Sequence, residues 1–147
     1  MSDFKPLRLL AEDADDLKIV SAALQDAVAK VGDARWEPAA RRFTVALNRY
    51  RWEAGRKGGG ERVRAALQLG SVLAVKARNV RREARDAVVE LLAVRFEPSG
   101  LAEDPGGAIV LELAGGGDIR VEVEAIDAVL ADVSEPWPTP RTPRHEV

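Results

Sequence analysis

No cysteine occurs among the 147 residues, and there is a single histidine. The first absence excludes a disulfide framework, a thiolate metal site and a thiol nucleophile. The second leaves His145, close to the C-terminus, as the sole imidazole. Neither a Ser–His–Asp triad nor a multi-histidine metal centre can therefore be assembled within one chain. No apolar run approaches the ~20 residues needed to cross a bilayer as a helix. The opening Met1 to Pro6 lacks the basic stretch and apolar core of a secretory signal. A cytoplasmic protein with no membrane partner, no metal and no cofactor is the expectation.

Hydrophobic residues make up 46% of the chain, enough for one core, and the length is that of one domain. The net charge of −2 conceals a segregation: residues 1–29 sum to −3, residues 30–85 to +10 and residues 86–147 to −9. Such asymmetry points either to an anionic partner or to pairing of the basic middle with the acidic third, within one chain or across a dimer. The cations of a candidate anionic-partner surface are Arg41, Arg42, Arg49, Arg51, Arg56, Lys57, Arg62, Arg64, Arg78, Arg81, Arg82 and Arg85.

Apolar spacing divides the chain into elements. Leu7 to Leu10 after Pro6 reads as an N-terminal strand. Leu17, Val20, Leu24 and Val28, with Ile19, Ala23 and Ala27 widening the stripe, have helical spacing behind the acidic start Asp13, Asp15 and Asp16. Carboxylates there suit the free amides of a first turn, with Asp13 or Asp15 as cap, better than they suit a metal. Short β-branched and aromatic runs follow: Ala34 to Glu37, Arg42 to Trp52, Arg62 to Leu69, Val72 to Val80, Val88 to Phe96, Ala108 to Leu113 and Ile119 to Glu124. Ala125 to Val133 has Ile126, Val129, Leu130 and Val133 at helical spacing and predicts a closing helix. The fold class is α+β: an N-terminal strand and helix, about seven antiparallel strands in a curled sheet or partly open barrel, and a C-terminal helix. This arrangement is similar by analogy to pleckstrin-homology-like domains, and the analogy licenses no lipid-binding claim. Residues 1–133 form the single domain. Residues 134–147 hold four of the eight prolines and read as a flexible tail, with Trp137 able to dock.

An internal repeat emerges at an offset of 44 residues: Val45, Leu47, Arg51, Glu53, Leu67 and Leu69 meet identical residues. It would make the domain two similar three-stranded units, one basic and one acidic.

The glycine triplets at 58–60 and 115–117 lead into strands and lack the lysine and hydroxyl of a phosphate loop, so they read as hairpin turns. Glu90, Glu112, Glu122 and Glu124 alternate with apolar residues as a solvated sheet face does, which leaves no carboxylate pair set apart for catalysis. Tyr50 and Trp52 between Arg49, Arg51 and Arg56, and Trp36 near Arg41 and Arg42, have the interleaving of a single-strand nucleic-acid surface. Strand alternation sends the arginines and the aromatics to opposite faces, which predicts exposed arginines over buried rings.

Leu24-Gln25-Asp26-Ala27-Val28 with Val31-Gly32-Asp33, then Asn48-Arg49-Tyr50-Arg51-Trp52-Glu53, and later Leu91 to Phe96 and Ile119 to Ile126, together resemble a domain-of-unknown-function family typical of alphaproteobacteria. The resemblance runs from about Leu7 to Val133 and implies no activity, cofactor or catalytic residue. The leading expectation is a non-catalytic interaction or assembly module with an unknown protein partner or a second copy as homodimer. An RNA- or DNA-binding accessory role for residues 41–85 comes second, and an enzyme last.

Overall fold

The computed structural model describes residues 4–54 and 60–139. Chain order begins with strand β1 (Arg8–Ala11), helix α1 (Ala14–Leu24), β2 (Val28–Lys30) and β3 (Ala34–Glu37). Then come β4 (Arg42–Tyr50), β5 (Glu61–Leu69), β6 (Val72–Arg78), β7 (Val88–Pro98), β8 (Gly107–Leu113) and β9 (Asp118–Val123). β10 (Ala128–Asp132) and β11 (Trp137–Pro138) close the chain. Every pairing among the described residues is antiparallel.

The spatial order is β1-β10-β5-β4-β2-β7-β8-β9-β6, with β3 added to β4 and β11 to β5. The sheet does not close on itself, since β1 and β6 are its two ends. Alternation decides which face is inside: Phe43, Val45 and Leu47 on β4 stand opposite Leu69, Leu67 and Ala65 on β5, and all six are buried. Ile109, Leu111 and Leu113 on β8 and Val121 and Val123 on β9 join the same core, as do Leu17, Val20 and Leu24 of α1. The helix packs chiefly on β7, where the Ser21 hydroxyl accepts from the Val94 amide (2.9 Å).

Asp13 caps α1 as the acidic start predicts. Its Oδ1 accepts from the Asp16 amide at 2.7 Å, and Asp16 Oδ2 in turn accepts from the Glu12 amide at 3.0 Å. Ile19 does not belong to the buried stripe, being 59% exposed.

Three expectations are corrected. The closing helix over 125–133 is instead strand β10, lying between β1 and β5. Ala128 and Leu130 are buried there with Val129 and Ala131 turned the other way, a two-residue period that the gap between two strands selects over the helical one. The pleckstrin-homology-like analogy loses its closing helix with this. The N-terminal strand and about seven further strands become eleven among the described residues, the additions being β2, β10 and the two-residue β11. Two separate three-stranded units do not form either, because β6 leaves β5 at Gly70-Ser71 and pairs with β9 while β10 returns to β5. The 44-residue offset is also lost in register: Val45 faces Leu67, whereas Leu111 faces Val94. The first residues of the proline-rich stretch run along β5, Trp137 opposite Arg62; residues 140–147, His145 included, lie outside the described residues. The Gly115 and Gly116 turn has the positive φ values of a hairpin, 89° and 95°, between β8 and β9. Gly58 and Gly59 lie outside the described residues, but Gly60 (φ 82°) marks a close approach, since a Cβ there would collide with the Tyr50 hydroxyl.

Replacing Asp13 with alanine is expected to cost about 1 kcal/mol, read as a lowered urea midpoint, whereas Asp13→Asn keeps most of the stability. Equal midpoints for Asp13→Ala and the parent would show that the cap contributes nothing.

Candidate functional site

Arg49 lies on the inward face of β4, in line with Phe43, Val45 and Leu47, and is completely buried. Its guanidinium forks onto the Asp132 carboxylate at the end of β10, Nε to Oδ1 at 2.8 Å and Nη2 to Oδ2 at 2.9 Å. A second fork meets Glu53, Nη1 to Oε1 at 3.0 Å and Nη2 to Oε2 at 2.7 Å, and Nη1 also donates to the Tyr50 carbonyl at 3.4 Å. All five guanidinium protons have a partner, which is the condition for burying such a charge. Asp132 Oδ2 also accepts the Leu7 amide at 2.8 Å, tying the N-terminal segment to the same point. Burial opposes the charge on Arg49, but the two carboxylates outweigh it and raise its pKa. Burial likewise pushes the Glu53 carboxyl up, and the Arg49 hydrogen bonds overcome that and hold it below its ordinary value.

The expectation of exposed arginines over buried rings fails at Arg49, which alternation places on the core side. Tyr50 is on the opposite face yet 2% exposed, stacked edge-on against Trp52 at 4.6 Å with the Arg62 guanidinium 6.0 Å from its ring. Trp52 Nε1 donates to the Gln25 carbonyl at 3.1 Å. Tyr50 is thus buried and Trp52 half-buried, each held by its own contacts. Arg62 also reaches the Asp26 and Asn48 carbonyls (3.4 and 3.2 Å), and Arg64 binds Asn48 Oδ1 at 3.2 Å and Asp33 at 2.9 Å. The segments 24–33 and 48–53 therefore meet in one polar lock on the outside of β4 and β5.

The other named cations divide sharply. Arg41 pairs with Glu124, Arg42 with Glu37 at 3.2 Å, Arg51 with Glu61, and Arg78 with Asp118. Lys76 pairs with Glu122 at 3.0 Å. The basic middle thus meets the acidic third inside one chain, through Arg41, Arg49, Lys76 and Arg78. On the outer face of β7–β9 the same logic continues: Arg95 bridges Glu97 and Glu112 and Arg120 binds Glu97 at 2.7 Å, above a fully covered Val110. The two arginines hold the Glu97 carboxyl below its usual value. Glu112 and Glu122 are thereby occupied in ion pairs, and among the described residues no cluster of three His, Asp or Glu could hold a metal ion. Arg56 and Lys57 lie outside the described residues.

Arg81, Arg82 and Arg85 remain exposed. Arg82 and Arg85 stand at the mouth of a cavity of about 250 Å³ that opens where the sheet fails to close. Its walls are Trp36 and Ala34 of β3, Phe43 and Val45 of β4, Val75 and Ala77 of β6, with Val80, Val89, Leu113 and Ile119 completing an apolar lining. Lys30 joins the two arginines at the rim, paired loosely with the exposed Asp86 at 4.0 Å, while Arg85 Nη2 donates to the Gly32 carbonyl at 3.2 Å. An apolar hollow with a few convergent polar groups is the usual form of a binding site. The sequence reading names Arg82, Arg85 and, for a different surface, Trp36, but misses Lys30 and the apolar remainder of the lining, which seven strands and a loop distant in sequence bring together. No local pattern marks them.

Arg49→Met strands the buried Asp132 carboxylate and is expected to cost about 3–5 kcal/mol in equilibrium unfolding, whereas Arg49→Met combined with Asp132→Leu recovers much of that loss. A double variant no more stable than the single one would show that the arginine acts through packing alone.

The Glu53 carboxyl titrates lower folded than unfolded, so its contribution is present above the ordinary value of 4.5 and lost as pH falls through the folded value. Below that ordinary value the parent is expected to lose stability more steeply with falling pH than Glu53→Gln does. Parallel urea midpoints from neutral pH to pH 3 would refute this.

No curated protein and no solved structure matches the chain in comparison. Residues 7–145 match the family described as protein of unknown function (DUF2948), a span that takes in the Arg49 lock, the whole cleft and most of the proline-rich end. The chain belongs to that family of unknown function.

Proposed function

We propose that this chain is a non-catalytic cytoplasmic interaction module that engages a protein partner at the open seam beside β6. The observation that supports this reading is the cleft itself: an apolar lining from Trp36, Phe43, Val75 and Ile119, with Lys30, Arg82 and Arg85 at its rim. Elsewhere the charges are spent on each other, as in Arg49 with Asp132 and Lys76 with Glu122. A broad polyanion surface over residues 41–85 is disfavoured by the same pairing, because Arg41, Arg42, Arg49, Arg51, Arg64 and Arg78 would each have to leave a carboxylate before meeting a phosphate. The carboxylates that could serve as acid and base are locked in those pairs, which weighs against catalysis.

A photo-cross-linking residue placed at Ala77, on the lip of the cleft, is expected to yield one discrete protein adduct in the native cell. The same residue at Leu10, on the opposite end of the sheet, is expected to yield none. Arg82→Glu in the Ala77 background should lower the adduct severalfold. Equal adducts from both positions would overturn the assignment. So would binding of a single-stranded oligonucleotide by the purified protein with log K falling by ~0.7 per phosphate neutralised against log salt, which is the nucleic-acid outcome.

A further inference from the structure

β6 is an end strand: among the described residues it pairs with β9 on one side only. Its first residue closes the seam, the Val72 amide donating to the Arg41 carbonyl at 2.9 Å. Beyond that point the cleft separates β6 from the hairpin of β3 and β4, and β3 likewise has β4 on one side only. Among the described residues, the backbone donors and acceptors of Leu73 to Arg78 along that edge have no strand to receive them. Val75 and Ala77 line the hollow, while Lys76 and Arg78 alternate to the outer face.

Resting on the reading of the seam as the binding site, we propose that the partner supplies an extended segment of alternating apolar and acidic residues that adds to β6 as a further antiparallel or parallel strand. Strand addition uses main-chain hydrogen bonds for affinity and alternate side chains for specificity. Apolar residues of the segment enter the hollow beside Val75. Acidic residues at its end meet Arg82 and Lys30, rim cations that no close ion pair occupies among the described residues, and those on its other face run beside Lys76 and Arg78, which keep Glu122 and Asp118 as partners. A helix, ~10–12 Å across, does not fit a hollow of about 250 Å³. A second copy pairing edge to edge through β6 would set Lys76 and Arg78 against their own kind, and like charges across a strand pair are destabilising.

The test uses the full chain, isotopically labelled, with a short capped peptide of alternating valine and aspartate as probe. Saturable shifts are expected in the amides of Leu73 to Arg78. Methylating the peptide nitrogens of one alternate set should abolish binding, and methylating the other set should leave it intact, because only one set faces β6. Replacing aspartate with lysine, or Arg82 with glutamate in the protein, should weaken binding severalfold. Equal tolerance of both methylation patterns, equal binding of the lysine peptide, or unmoved β6 amides at millimolar peptide each overturn strand addition. If any of these occurs while the Ala77 adduct remains sensitive to Arg82→Glu, the seam stands as the site and only the strand mode is lost. Disappearance of that adduct removes both.

Discussion

A buried guanidinium with all five protons satisfied holds one end of this sheet together. Arg49 reaches from β4 across β5 to Asp132 at the end of β10, and turns its other edge to Glu53 just past β4. Asp132 also holds the Leu7 amide, and the Asp132 amide donates to the Leu7 carbonyl at 2.9 Å, so the entry into β1 is fixed at the same place. An apolar residue at position 49 would fill the volume but leave the Asp132 carboxylate and the Glu53 turn without direction. The forked geometry of arginine fits both carboxylates at once, which a lysine ammonium cannot do.

That lock is one of several places where the basic and acidic blocks, +10 and −9, meet in the fold. The basic strands β4, β5 and β6 and the acidic strands β9 and β10 are neighbours in space because β6 and β10 cross between the two halves of the sheet. Each crossing brings cations against carboxylates: Lys76 and Arg78 on β6 against Glu122 and Asp118 on β9, and Arg49 on β4 against Asp132 on β10. Exposed pairs of this kind contribute ~0–1 kcal/mol apiece. Ion pairs among the described residues give eight of the seventeen arginines a carboxylate partner within the chain. Among the described residues the crossing strand β6 has no second neighbour, and there the core surfaces as a cleft.

Helix α1 makes this geometry workable. It covers the face of β7 with Leu17, Val20 and Leu24, and its C-terminal turn passes directly into the short β2 that bridges β4 and β7. The Asp26 amide donates to the Leu91 carbonyl (2.9 Å) and the Leu91 amide to the Ala27 carbonyl (2.8 Å), so the bridge begins before β2 itself. Two halves of sheet that would otherwise splay are joined there by a few residues, and the curl that results faces Phe43 and Val45 toward Leu113 and Ile119 around the hollow.

The local signals in the sequence determined what local physics can determine. Asp13 caps the helix because a carboxylate meets free amides within one turn, and the strands from Ala34 to Glu124 follow their own alternation. The glycine turn at 115–117 follows from the φ values that only glycine adopts freely. The charge count shows opposite blocks without saying which residues meet, and the register of β6 with β9 sets Lys76 and Arg78 against Glu122 and Asp118. Tertiary structure alone decided the rest. Residues 125–133 fit helical and strand periods alike, and the empty slot between β1 and β5 selected the strand. Arg49 is buried because its partner lies 83 residues away. The cleft exists because β6 and β3 end their pairing without meeting. These outcomes depend on contacts between distant segments, whose free energy no short window of sequence contains.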